Sequence, residues 1–236
     1  MDTLNKLCCV VPPASAGEIV APSPINEDEV KKSLIARGSS VVSVDSSDGF
    51  GIIISKDVIL TTSSTFPDPA AAEGATVNVR TPPAASLELK LWPQRFFVTN
   101  RDLDLTLVAC DPITTSDVSP LMSDASKISR QSLEAGSKVY ILGYPRGSKM
   151  GSKSSAALGE GRVTVKEDKF LRIQTDGLVW ASGSAGFNEQ GQLAFVICNP
   201  HQSFAAGSSS IHGEERRDDK QSGVSIGDVC SRLIQV

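Results

Sequence analysis

The stretch "GFGIIISKDVILTTSS", residues 49–64, carries the reading of the fold. Two short apolar runs, Ile52–Ile54 and Val58–Leu60, flank the polar triplet Ser55-Lys56-Asp57. Each run is too short for a helix and is rich in branched side chains. The segment therefore reads as a β-hairpin with its turn at the triplet. Working outward, similar runs recur: "SVVSV" (40–44) before it, then "TVNVR" (76–80), "LELKLW" (87–92) and "LDLTLVAC" (103–110). Residues 112–136 are polar, contain two prolines and have no clean period, which predicts a linker. A second set follows: "KVYILGYP" (138–145), "GEGRVTV" (159–165), "FLRIQTD" (170–176), "QLAFVIC" (192–198) and "SGVSIG" (222–227). Strands alternating with long helices are missing, so a parallel sheet is excluded. An all-β chain of two barrels is expected, the first over 39–111 and the second over 137–236.

The flanks read differently. Residues 1–25 are rich in Pro, Ala and Ser and predict a flexible tail. Residues 26–38, "NEDEVKKSLIARG", predict a helix: Asn26 caps it, Glu29 stands three residues on, and Gly38 ends it. Val30, Leu34 and Ile35 form its apolar face. A short closing helix is expected at 228–235, capped by Asp228. The polar, mixed-charge stretch 199–222 reads as a surface loop and holds the only two histidines, His201 and His212.

Composition narrows the function. A net charge of −4 with no long basic run disfavours nucleic acid. No apolar run reaches the roughly eighteen residues of a membrane span. The five cysteines lack a disulfide framework or metal-ligand spacing, so no metal and no cofactor is expected. A reducing compartment follows, the cytoplasm first, with nucleus or plastid as alternatives.

The candidate site is "WASGSAGF", residues 180–187, a serine-containing small-residue segment between two strand runs. Seen with the other segments, the chain resembles the trypsin-like serine proteases, their Deg/HtrA-type branch most of all. The hairpin "GFGIIISKDVILTTSS" is similar to that branch's G-x-G-[apolar] strand pair. "DLTLV", from Asp104, matches its acid-bearing strand. "ILGYP", "GEGRV", "IQTD", "EQGQLAFVI" and "GVSIGDVCSRLI" follow in the branch's order. The likeness covers about residues 39–236. It implies two six-stranded antiparallel barrels with an interdomain cleft.

Acyl transfer by serine needs a base, an acid that orients the base, and N–H donors for the oxyanion. The resemblance places the acid at Asp104 and the nucleophile at Ser184, within "SAG". A shifted alignment makes Ser182 the counterpart instead. Ser182 and Gly183 are the expected oxyanion-hole positions. Leu178, six residues before Ser184, falls near the family's pocket base and suggests an apolar floor. The base position falls at Ser64, and no His exists in the first barrel. A serine there cannot act as a base. The expected reading is an inactive homologue that binds a protein or peptide in the cleft. The alternative is an active endopeptidase with an unusual base: Lys149, Lys153, Lys166 or a late-loop histidine.

Overall fold

The computed structural model describes residues 26–45, 49–81, 85–122, 125–129, 131–146, 156–168, 170–198 and 220–226. The expected tail, the closing helix, both histidines, Lys149 and Lys153 lie outside the described residues.

The first sheet contains β1 (Val41–Val44), β2 (Phe50–Ser55), β3 (Val58–Thr61), β4 (Thr76–Thr81), β5 (Ala85–Lys90), β6 (Phe97–Asn100) and β7 (Leu105–Ala109). Their spatial order is β5-β4-β1-β2-β3-β7-β6. The opening hairpin is β2–β3, with Ile53 opposite Ile59. Its turn is closed by the Ser55 hydroxyl donating to Asp57 Oδ1 at 3.1 Å. The sheet curls until Leu91, just past β5, bridges Cys110, just past β7.

The second unit is a closed six-stranded barrel of β8 (Lys138–Gly143), β9 (Ala157–Glu167), β10 (Phe170–Thr175), β11 (Ala185–Asn188), β12 (Leu193–Cys198) and β13 (Lys220–Ser225). Its order is β10-β13-β12-β11-β8-β9. Strand β13 begins inside the stretch read as loop 199–222, so Lys220, Gln221 and Ser222 belong to the barrel.

Two strands were not legible in the sequence. β6 is a partly exposed edge strand of four residues, with only Phe97 and Val98 apolar. β11 has the sequence Ala-Gly-Phe-Asn and is buried throughout. It lies between β8 and β12, and its Gly186 faces the ring of Phe195. A Cβ on Gly186 would enter the ring of Phe195.

One apolar cluster joins the two units. It includes Val41, Phe50 and Ile52 from the first sheet and Tyr140, Leu142, Ala185 and Phe187 from the barrel. The rings of Phe50 and Tyr144 stack with centroids 4.8 Å apart.

Helix α1 (Glu27–Ala36) packs on this assembly, its N-terminus capped by Asn26. Leu34 is buried, but Ile35 points outward and is 62% exposed, so the docked face is narrower than its sequence implied. Arg37 donates to the Gly191 carbonyl at 3.0 Å. Glu27 contacts Lys138 at 2.6 Å and Lys31 at 2.7 Å, and Glu160 of β9 closes the network. Hydrogen bonds from Lys138 and then Lys31 hold the Glu27 carboxyl at about 2. The same network raises both ammonium groups, Lys31 chiefly through Glu160 and Lys138 chiefly through Glu27. The sign follows. A depressed carboxyl contributes stability above its ordinary value of 4.5 and loses it as pH falls through about 2. Protection factors of the α1 amides, which correct for the intrinsic pH dependence of exchange, are thus expected to fall selectively on acidification across that window. The effect is modest because these charges are exposed and screened.

Candidate functional site

Strands β6 and β7 are joined by a tight turn in which Leu103 N–H donates to Asn100 Oδ1 at 3.0 Å. The turn ends at Asp104, whose φ of 51° lies in the left-handed region. Aspartate tolerates that conformation better than most residues, because its short side chain bonds locally. The carboxylate is fully buried. Its Oδ1 accepts from the Ser64 main-chain N–H at 2.9 Å and from the Ser63 hydroxyl at 3.0 Å. Its Oδ2 faces the Ser64 hydroxyl at 3.5 Å. Two positions forty residues apart are thus brought together, while Asp102 stays exposed. Cys198 lies beside them. Its thiol pKa is pushed up by burial and then by the Asp104 charge.

Ser64 sits in the turn after β3, where Thr65 and Phe66 both donate to the Thr62 carbonyl at 3.1 Å. The Thr62 and Ser64 hydroxyls are 3.0 Å apart. Ser64 itself is exposed. The Asp104 carboxylate is therefore held by two donors, and the Ser64 hydroxyl faces its other oxygen.

The segment before β11 places three of the residues singled out in the sequence. Ser184 has no exposed surface. Its hydroxyl donates to the Ala181 carbonyl at 2.7 Å. Its Cβ lies 2.6 Å from where a Cβ on Gly143 would stand, so it is sealed against β8. The exposed hydroxyl expected of a nucleophile is not there. Gly183 is not a free oxyanion donor either, since its N–H is engaged by the Ile197 carbonyl at 2.8 Å. Leu178 forms no buried pocket floor, because its side chain is 44% exposed.

Ser182, by contrast, is only partly buried. Among the described residues neither its hydroxyl nor its N–H has a hydrogen-bond partner, and the N–H of Trp180 is likewise unengaged. The loop is placed by Gly183, at φ 89°, which lies against the Phe50–Gly51 backbone of β2. The Phe50 carbonyl also accepts from the Thr61 hydroxyl at 2.7 Å. Gly183, next to Ser182, and Thr61, three residues before Ser64, thus both meet Phe50 at the start of β2. Lys166 is engaged elsewhere, on Glu134 at 3.1 Å and on Ser132.

Behind the loop, Trp180 is 2% exposed, and its ring lies over Gly159 of β9. Its carbonyl accepts from Gln221 Nε2 at 3.0 Å. Trp180 Nε1 and Gln221 Oε1 are buried, and among the described residues neither has a partner. Each such group costs about 1–3 kcal/mol.

A family model described as a trypsin-like peptidase domain matches residues 49–194. The chain belongs to the trypsin-like peptidase family. No curated protein matches it. Solved structures do. The inactive form of the Rv3671c protease from M. tuberculosis H37Rv is 17% identical, covering 92% of this chain and 98% of its own at a TM-score of 0.57. Deg5 is 14% identical, covering 87% and 93% at 0.58. The scabies mite inactivated protease paralogue S-I1 is 15% identical, covering 85% and 95% at 0.55. At these identities the likeness to each structure is one of fold. Within the trypsin-like family, the seven-stranded first sheet and the closed barrel are this chain's version of the expected barrel pair.

Proposed function

We propose that this chain is a trypsin-like peptidase homologue that does not hydrolyse peptide bonds and that binds a protein or peptide between its two units. One observation carries the reading: Ser64, the position to which the resemblance assigns the base, turns its N–H and hydroxyl toward the buried Asp104. A serine hydroxyl is a weak nucleophile without an adjacent base, and a second hydroxyl cannot supply one. Without its base such a site keeps at most roughly 10³–10⁴-fold over water, from oxyanion and binding contacts. The nucleophile counterpart in this reading is Ser182. Its partial exposure and unengaged N–H support that choice, and the burial of Ser184 argues against the alternative. An extended peptide is the natural ligand, since strand addition uses backbone bonds and needs no triad. The scabies mite neighbour, described as an inactivated paralogue, is a precedent for the fold without the activity.

Fluorophosphonate labelling tests this. Wild-type protein is expected to take no label. Ser64→His should gain it, Ser64→His/Ser182→Ala should lose it again, and Ser64→His/Ser184→Ala should keep it. Label on the wild type that disappears in Ser182→Ala would show a working hydrolase and end the proposal.

A further inference from the structure

Two side chains of the barrel meet where Gln221 Nε2 donates to the Trp180 carbonyl, and among the described residues neither Trp180 Nε1 nor Gln221 Oε1 has a partner. Trp180 comes from the segment leading to Ser182, and Gln221 from the start of β13, opposite Ile173 of β10. Their relative exposures are 2% and 9%. The amide of Gln221 is oriented by its own bond. Nε2 must face the Trp180 carbonyl, so Oε1 is the atom left over. The indole can only donate, and this amide oxygen can only accept. A buried indole N–H ordinarily finds an acceptor. The turn beside this corner is open: Leu178 is 44% exposed, and no atom lies within 4 Å of where a Cβ on Gly177 would stand.

We propose that this corner recognises a primary carboxamide, the side chain of Gln or Asn in a bound peptide. The inference rests on the peptide-binding reading above. A carboxamide offers its oxygen to the Trp180 N–H and its NH2 to Gln221 Oε1, meeting both groups at once. A carboxylate brings a second acceptor against Oε1. An ammonium leaves the indole N–H unmet, and an aliphatic chain leaves both. Discrimination of this kind is steep, because the wrong side chain strands polar groups of the site itself.

The probe is a positional-scanning library of capped, extended hexapeptides with Gln, Asn, Glu, Lys or Leu at each position, offered to the full chain. At one position Gln or Asn is expected to exceed Leu and Glu by about tenfold, the equivalent of one good hydrogen bond. Trp180→Phe keeps the ring, removes the donor and should abolish that preference without changing selection at other positions. Gln221→Met, checked for folding by near-ultraviolet circular dichroism, is the second variant and should do the same. Captured peptides with no amide preference, or a preference that survives both variants, would overturn this inference while leaving peptide binding intact. Capture of no peptide at all would overturn it too. Fluorophosphonate labelling of the wild type would separately remove the reading beneath it.

Discussion

Gly183→Ala is expected to unfold the protein about 5–15 °C below the wild type, the result of losing about 2–5 kcal/mol in a chain of this size. Two costs add. Alanine in the left-handed region costs roughly 1–2 kcal/mol. The new methyl would also collide with the Phe50 carbonyl oxygen and stand 2.5 Å from its carbon. Overpacking of that kind costs typically about 1–3 kcal/mol. Phe50 cannot recede easily, because the Thr61 hydroxyl holds its carbonyl and Tyr144 stacks on its ring. The control is Gly74→Ala. Gly74 has φ 75° but no atom within 4 Å of its would-be Cβ, so only the conformational cost applies. Thermal melts of the two variants separate the terms. Equal losses would mean that the Ser182 loop does not bear on β2 as described.

Asp104 supports a second large effect, and here the contrast between two variants is what counts. Asp104→Ala should cost about 3–8 kcal/mol. It strands the buried Ser63 hydroxyl and the Ser64 N–H, at about 1–3 kcal/mol each. It also places alanine at φ 51°, at roughly 1–2 kcal/mol. Asp104→Asn keeps an acceptor oxygen for both donors and tolerates the left-handed backbone, so it should cost about 1 kcal/mol. Urea unfolding of both variants gives the comparison. A peptidase's acid kept only as a relic would tolerate either change equally. A residue that ties the β3 turn to the β6–β7 turn will not.

Much of the architecture was legible locally. The β2–β3 hairpin, the strands of both sets and the capped helix α1 announce themselves through periodicity, turn residues and caps, which depend on neighbours within a few positions. Strands β6 and β11 did not. β6 is a short, partly exposed edge with only Phe97 and Val98 apolar. β11 is buried on both sides, and with Ala185, Gly186 and Asn188 around a single Phe187 it lacks the signature of a strand. Ile35 shows the opposite error. It lies on the apolar side of the helical pattern, yet only Leu34 and part of Val30 face the body.

The candidate site divides the same way. The sequence alone determined that the position to which the resemblance assigns the base is Ser64 and not a histidine. It also determined that Asp104 stands at the position to which the resemblance assigns the acid, because residue identity and segment order are properties of the chain. Which serine could meet a substrate was a tertiary decision. Ser182 and Ser184 sit two residues apart in nearly the same local sequence. Ser184 faces Gly143 of β8 and is sealed, Gly183 turns left-handed against β2, and Ser182 is left partly exposed. Each of those contacts comes from a strand about forty or more residues away. A side chain's exposure is set by what packs over it, and that is settled only when the sheets close.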